Sequence, residues 1–308
     1  MLDKLLTLKK IEIFLNFMTE GTLAETAEKT GMSTVSIHRA IHSLEESLKC
    51  PLFRHEGRLL VPLPSAMVLE HNAKKLVFSF EEAIRLTREA AGIYSNQIKI
   101  GALYSLTLKT VPRLVAGIKL RKSELDIELT LGGNVALFKK LDMLELDTIF
   151  VSLSDDFHSD EYTFLRLFSD DMMLAVPANS DISTKKTLSL VDFKDETFIS
   201  LSDGFATHKD SFKAFELAGI TPNIAMKVDD IFSIISMVSG GVGYALLPKR
   251  VEAVFDNMIK LIPLKELTGI KQHISLVCLA NREREPRILT CIAESRAYVR
   301  ERTNINKD

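Results

Sequence analysis

TVSIHRAIHSLEESL at residues 34–48, preceded by LAETAEKT at 23–30 and GMS at 31–33, is the pattern from which the N-terminal fold follows. Ile37, Ile41, Leu44 and Leu48 recur at the spacing of an apolar stripe on a helix. Leu23 to Thr30 reads as a shorter helix before it, and Gly31-Met32-Ser33 as a tight turn ending in a cap residue. Two helices joined by a short glycine-containing turn make a helix-turn-helix. Upstream, Ile11, Phe14, Leu15 and Met18 mark a first helix that Gly21 ends. Downstream, Cys50-Pro51 stops the third helix. Leu52-Phe53-Arg54, a polar His55-Glu56-Gly57-Arg58 turn and Leu59-Leu60-Val61 then predict a short β-hairpin, or wing. Residues 1–64 are expected to form a winged helix-turn-helix.

Ser65 to Ala91 reads as one long helix. Leu69, Ala73, Leu76, Phe80, Ala83, Thr87 and Ala90 alternate steps of four and three, which is a coiled-coil seam and predicts a dimer. At 1.5 Å per residue such a rod is roughly 40 Å long. Residues 65–92 are thus expected to be a linker and dimerisation helix ending at Gly92. The pattern then changes. Ile98–Ala102, Ile127–Leu131 and Thr148–Val151 read as strands, with helices over Thr107–Arg121 and Val135–Leu144 between them, which is the order of parallel βαβ units. The alternation repeats from Met172 through Ile262, and the tail adds a strand at Ile274–Leu279 and a helix near Arg287–Arg302. The fold class is α/β. The expected boundaries place lobe I at about 93–166 and 264–308 and lobe II at about 167–263, with crossover strands between them and a ligand cleft where they meet.

The composition, 308 residues with 46% apolar and 26% charged, is that of an ordinary globular protein. No apolar run approaches the ~18 residues of a membrane span, and no secretory signal is visible at the N-terminus. Three cysteines, Cys50, Cys278 and Cys291, are too few for a disulfide framework and point to a reducing, cytoplasmic compartment. Cys50, beside the wing, reads as a buried structural thiol. With 39 Lys and Arg against 41 Asp and Glu, the chain as a whole is not a basic nucleic-acid binder. Residues 1–64 carry eight of each sign, so any footprint on DNA must come from local placement.

The chain resembles the LysR-type transcriptional regulators over essentially its whole length. The likeness rests on Ala27-Glu28, Arg39-Ala40-Ile41, Leu44-Glu45 and Pro51-Leu52-Phe53-Arg54, and on the late turn Val238-Ser239-Gly240-Gly241-Val242-Gly243-Tyr244-Ala245-Leu246-Leu247-Pro248. Residues 35–46, Tyr104-Ser105-Leu106-Thr107, Ser169-Asp170-Asp171 and Gly204-Phe205-Ala206-Thr207-His208 are similar to the branch that regulates malonate decarboxylase operons. The chain departs from the family at Thr30, at His38 and at residues 62–66. The resemblance implies a periplasmic-binding-protein-like effector domain behind the winged helix-turn-helix. It also implies double-stranded DNA at a promoter operator, a homodimer or homotetramer, and RNA polymerase as partners. No cofactor, metal or membrane is expected.

A recognition helix presents its early residues to the major groove. That puts Ser33, Thr34, Val35, Ser36, His38 and Arg39 at the base edges and phosphates, with Arg54 and Arg58 on the wing against backbone or minor groove. His38 and His42, four apart, are a weak metal pair without a third ligand; groove-facing or surface histidines are the simpler reading. In α/β lobes ligands sit at strand carboxyl ends near helix N-termini, where free N–H groups attract anions. The candidates are Ser105, Leu106 and Thr107 after the first strand, Asn134 after Gly132-Gly133, Ser152, and in the second lobe Ser200, Gly204, Thr207, His208 and Asp229. For each hydroxyl a helix cap is the alternative role. These groups suit a small carboxylate, and the resemblance implies malonate or its coenzyme A ester. Other carboxylates or aromatic acids, and a transport-type solute-binding protein, are the competing readings. An enzyme is disfavoured, because no G-x-S-x-G, P-loop or dinucleotide fingerprint is present.

Overall fold

The computed structural model describes residues 6–57, 59–91, 96–267 and 269–305. Two compact units divide the chain, Met1–Ser95 and Asn96–Asp308.

The first unit contains α1 (Leu8–Glu20), α2 (Leu23–Thr30), α3 (Thr34–Leu48), β1 (Phe53–Glu56), β2 (Leu59–Pro62) and α4 (Pro64–Ala90). Each of the three short helices starts on a hydroxyl cap: Thr7, Thr22 and Ser33 accept from Lys10, Glu25 and Ser36 N–H. Gly31 closes α2 at φ +66°, a left-handed conformation that glycine adopts without strain, and this sets the turn into α3. Phe14 and Phe17 of α1 and Ile37, Ile41 and Leu44 of α3 are buried with Leu52. The Phe53 ring meets Phe17 edge-on at 5.1 Å, which anchors the wing on α1. One Glu45 carboxylate oxygen accepts from the N–H groups of Leu52 (2.8 Å) and Phe53 (3.0 Å), fixing the exit from α3.

The long helix differs from expectation in its apolar face. Ala66 and Ala73 are buried and Leu69 and Val77 pack with them on the helix-turn-helix core. Leu69 and Ala73 therefore belong to the unit's own core, while Leu76, Phe80, Ala83 and Thr87 stay exposed. The helix-turn-helix core covers α4 only from Ala66 to Val77, and the helix runs on past it. Cys50 is exposed, not buried, because the chain leaves α3 at the surface there.

The second unit contains β3 (Gln97–Ala102), α5 (Thr110–Arg121), β4 (Asp126–Leu131), α6 (Asn134–Asp142), β5 (Thr148–Leu153), β6 (Tyr162–Pro177), β7 (Thr197–Leu201), α7 (Ala206–Leu217) and β8 (Asn223–Val228). It continues with α8 (Ile231–Ser239), β9 (Ala245–Pro248), α9 (Glu252–Phe255), β10 (Ile259–Ile262), β11 (Lys271–Leu279) and α10 (Pro286–Ile305). Strand β3 runs parallel to β4 and β5, and β7 parallel to β8. The parallel alternation does not extend through Ile262, since β9, β10 and β11 all run antiparallel to β6. Strand β6 has 16 residues, far more than the Met172–Val176 segment legible in the sequence. Its first half pairs with β11 over Tyr162–Asp171 and its second with β9 and β10 over Met172–Pro177, so one strand serves two lobes. The cover on each face changes along it, and no single alternation marks it out.

Lobe I is built on Ile98, Ile100, Leu114, Ile118, Ile149, Leu276 and Val277. In lobe II alternate residues of β6 feed two cores, Met172, Leu174 and Val176 on one face and Met173 and Ala175 on the other. Gly117 of α5 leaves room for a side chain of α10: a Cβ there would lie 1.9 Å from Oε1 of the buried Glu294. That carboxylate is held by Arg113 (3.2 Å) and Arg121 (2.6 Å).

Replacing Glu45 with alanine strands two N–H groups, a cost of about 1–3 kcal/mol. Hydrogen exchange in peptides from residues 8–66 should then accelerate about 5- to 150-fold, with residues 97–300 unchanged. Glu45→Gln, which keeps a carbonyl acceptor, should lose less.

Candidate functional site

Two surfaces carry chemistry, one in each unit. In the first unit the N-terminal turn of α3 is exposed. Thr34, Val35, Ser36 and Arg39 face solvent, and Val35 is 65% accessible, high for an aliphatic side chain. Ser33 also faces solvent as the α3 cap, its Oγ 2.8 Å from Ser36 Oγ. His38 is half-buried, its ring 6.5 Å from His42 and 6.2 Å from His55 of the wing, so recognition helix and wing form one continuous face. Among the described residues no group of three or more metal-ligating side chains is placed to hold an ion. Arg54 pairs with Glu56 at 2.7 Å across the exposed edge of the wing. Arg58 lies outside the described residues.

In the second unit a small, partly open pocket lies between the lobes. Its walls are Leu103, Tyr104, Leu201, Phe205, Ala206 and Ile231, and its polar lining is Ser105, Thr207 and Arg250. Arg250 follows β9 and its side chain is only 10% exposed. Its Nε donates to Ser105 Oγ (2.8 Å), Nη1 to Asp170 (2.9 Å) and Nη2 to Gln272 Oε1 (2.7 Å). Burial draws the guanidinium below its ordinary pKa, and the Asp170 carboxylate opposes that shift. Gln272 also donates from Nε2 to Thr207 Oγ1 (3.2 Å) and to Asp210 (2.8 Å). Burial raises the Asp210 carboxyl above the usual range, against the Gln272 bond and the positive charges of Lys209, Lys213 and Arg250. The N-cap of α7, Phe205, makes no side-chain cap, so the first-turn N–H groups at Ala206 and Thr207 point where an anion is favoured.

Of the ten effector candidates, the structure brings Ser105 and Thr207 to this cavity. Leu106 is fully buried in the lobe I core. Thr107 donates to Tyr104 O within its own turn. Asn134 donates to Ser152 O on β5, and its Oδ1 is buried without a partner among the described residues. Ser200 bonds Leu201 O and the His208 ring. Both His208 nitrogens are taken, Nδ1 by Leu201 O (2.8 Å) and Nε2 by Asp203 (2.9 Å). That loop is held further by Lys227 on Asp203, whose carboxyl this bond keeps below its ordinary value. Asp229 is exposed, and the carboxylate at the head of α8 is Asp230, which accepts from Phe232 and Ser233 N–H at 2.8 Å. Gly133 does allow close approach, but of the other lobe: a Cβ would lie 3.0 Å from Gly204 O and 3.2 Å from the Phe205 ring. Gly204 O in turn accepts from Val135 N–H at 3.1 Å, joining the lobes at the cavity's edge.

Arg250 and Gln272 escaped the sequence reading. Gln272, a polar residue at the head of the mostly apolar run to Leu279, is a usable signal, since a polar side chain at a core position needs a partner. The Asp170-Asp171 pair behaves as strand geometry requires, Asp170 inward on Arg250 and Asp171 outward near Lys271. Cys278 and Cys291 are buried; burial pushes Cys278 up to about 11 and Cys291 higher still, which makes both poor nucleophiles.

The described residues include no helix long and apolar enough to cross a membrane. Residues 8–66 match the bacterial regulatory helix-turn-helix protein model of the lysR family, and residues 91–300 match the LysR substrate binding domain. The chain is 42% identical over 299 residues to a malonate utilization transcriptional regulator of Klebsiella pneumoniae, covering 96% of each. It is 25% identical to the transcriptional dual regulator GltC of Bacillus subtilis, over 82% of this chain and 83% of that one. Among solved structures, the LysR family regulator CbnR superposes with a TM-score of 0.70 at 18% identity, covering 96% of this chain and 99% of CbnR.

Arg250→Met leaves Asp170 buried without its cation, a loss of about 3–5 kcal/mol. Urea unfolding should show that loss, and Arg250→Met combined with Asp170→Leu should recover a large part of it.

Proposed function

This chain belongs to the LysR family of bacterial transcriptional regulators, and we propose that it senses malonate, or its coenzyme A ester, to control malonate catabolism genes. The family is one of regulators, so the chain is not an enzyme. The observation that carries the malonate assignment is the 42% identity to a malonate utilization regulator across 96% of both chains. The cavity supports it. One guanidinium, two hydroxyls and the open N-terminus of α7 offer several donors to a small carboxylate.

In this proposal residues 1–64 bind operator DNA, residues 65–92 pair two chains, and residues 93–308 hold the effector. The exposed Leu76 and Phe80 of α4 supply an unpartnered apolar face for that pairing. The site of action is the cytoplasm, which suits the free thiols. Ser33, Thr34, Val35, Ser36, His38 and Arg39, with Arg54 and Arg58, are assigned to DNA. Ser105 and Thr207, joined now by Arg250, are assigned to the effector; the remaining candidates shape the loops around it. Effector acts only through unequal affinity for two arrangements of the lobes.

A thermal-shift titration with malonate, malonyl-coenzyme A, succinate, acetate and benzoate tests the effector. At about 100 times its dissociation constant the true ligand adds about 2.7 kcal/mol, or about 5–10 °C. The shift should be selective for malonate or its ester and shrink in Ser105→Ala and Thr207→Val. A shift from benzoate alone would overturn the malonate assignment. For DNA, fluorescence anisotropy on a duplex from the upstream region of its own gene should show Arg39→Ala and Val35→Asp weakening binding at least about tenfold. Leu217→Ser, on the exposed face of α7, should leave it unchanged.

A further inference from the structure

Beside the cavity lie one cation and two carboxylates, Arg250, Asp170 and Asp210, joined in a line through Gln272. The Gln272 amide has only one sensible orientation. A guanidinium can only donate, so Oε1 faces Arg250, and Nε2 is left to face Asp210 and Thr207. With both carboxylates ionised, this line carries one negative charge in excess before any ligand enters. The two carboxylates are not equal. Asp170 takes the Arg250 guanidinium at 2.9 Å and the Arg250 backbone N–H at 3.1 Å. Asp210 has a single side-chain hydrogen bond among the described residues, from a neutral amide. The other charges facing it are Lys209 and Lys213 on its own helix, both exposed and both also acting on Asp156.

We propose that Asp210 is a positioning residue of the effector cavity that takes up one proton from solvent when a carboxylate binds at Arg250 and Thr207. The proposal rests on the carboxylate-sensing role given above. Bringing another negative charge into a half-buried site is costly, and neutralising the more weakly held carboxylate is the smallest adjustment that relieves it. The sign follows by linkage. Ligand raises the Asp210 pKa further, so affinity falls as pH rises above the ligand-free value, which burial already holds above the ordinary carboxylate range. Affinity then changes by at most about tenfold per pH unit across that window.

Isothermal titration of the full chain with malonate, in two buffers of different ionisation heat and at several pH values from about 5.5 to 8, reads the proton directly. The wild type should take up more protons per malonate than Asp210→Asn. Comparing the two proteins removes uptake by malonate itself. Asp210→Asn should bind more tightly at the high-pH end, with a flatter profile, and Asp210→Glu should restore both uptake and slope. Equal uptake in wild type and Asp210→Asn, with malonate bound by both, overturns the role of Asp210 alone. Absence of heat from malonate, succinate and malonyl-coenzyme A overturns the carboxylate-sensing assignment, and this role falls with it.

Discussion

The Arg250 guanidinium is the point where distant parts of the second unit are held together. It reaches Ser105 just after β3, Asp170 on β6 and Gln272 on β11. A buried cation is tolerated only when its charge is paired and its donors are satisfied. Those partners arrive correctly only if β6 and β11 stay paired antiparallel from lobe I up to Asp171, through the register shift at Ile274/Ser275. The crossing strands, the spacing of the lobes and the polar end of the cavity are therefore one problem with one solution.

The same guanidinium gives a largely apolar pocket its polar end. Most of its wall is apolar, from Leu103 to Ile231. The Arg250 charge is already compensated by Asp170, so under the proposed carboxylate-sensing role an anion is held by shared donors and by the first turn of α7, not by a free cation. At the edge, the Val135–Gly204 bond makes lobe closure a backbone contact that needs the missing side chain of Gly133.

The first unit works on different physics. Its lysines, arginines and acids cancel, and what α3 presents is a row of short hydroxyl side chains, one exposed valine and one arginine. Under the proposed DNA assignment, such a face reads shape and base edges at close range and gains little from long-range attraction. Glu45 and Phe53 hold the wing at a set distance from that helix, so the acid that lowers the unit's charge also positions its contacts.

Local pattern determined much of this protein. The helices of the first unit, the turn at Gly31, the wing and the parallel start of the second unit were legible because periodicity, caps and glycine conformations act within a few residues. So were Ser105 and Thr207, which sit where a strand gives way to a helical turn. Only tertiary structure decided the rest. Strand β6 was half hidden because its neighbours change midway along it. Leu69 and Ala73 left the seam because a helix shows different faces to different partners. His208 and Asn134 had the right chemistry in the right loops, yet nearby backbone and side-chain groups satisfied or shielded them, while Asp229 faces solvent away from the pocket lining. Arg250 and Gln272 became a site only when strands far apart in sequence brought them within hydrogen-bonding reach, and no spacing along the chain encodes that meeting.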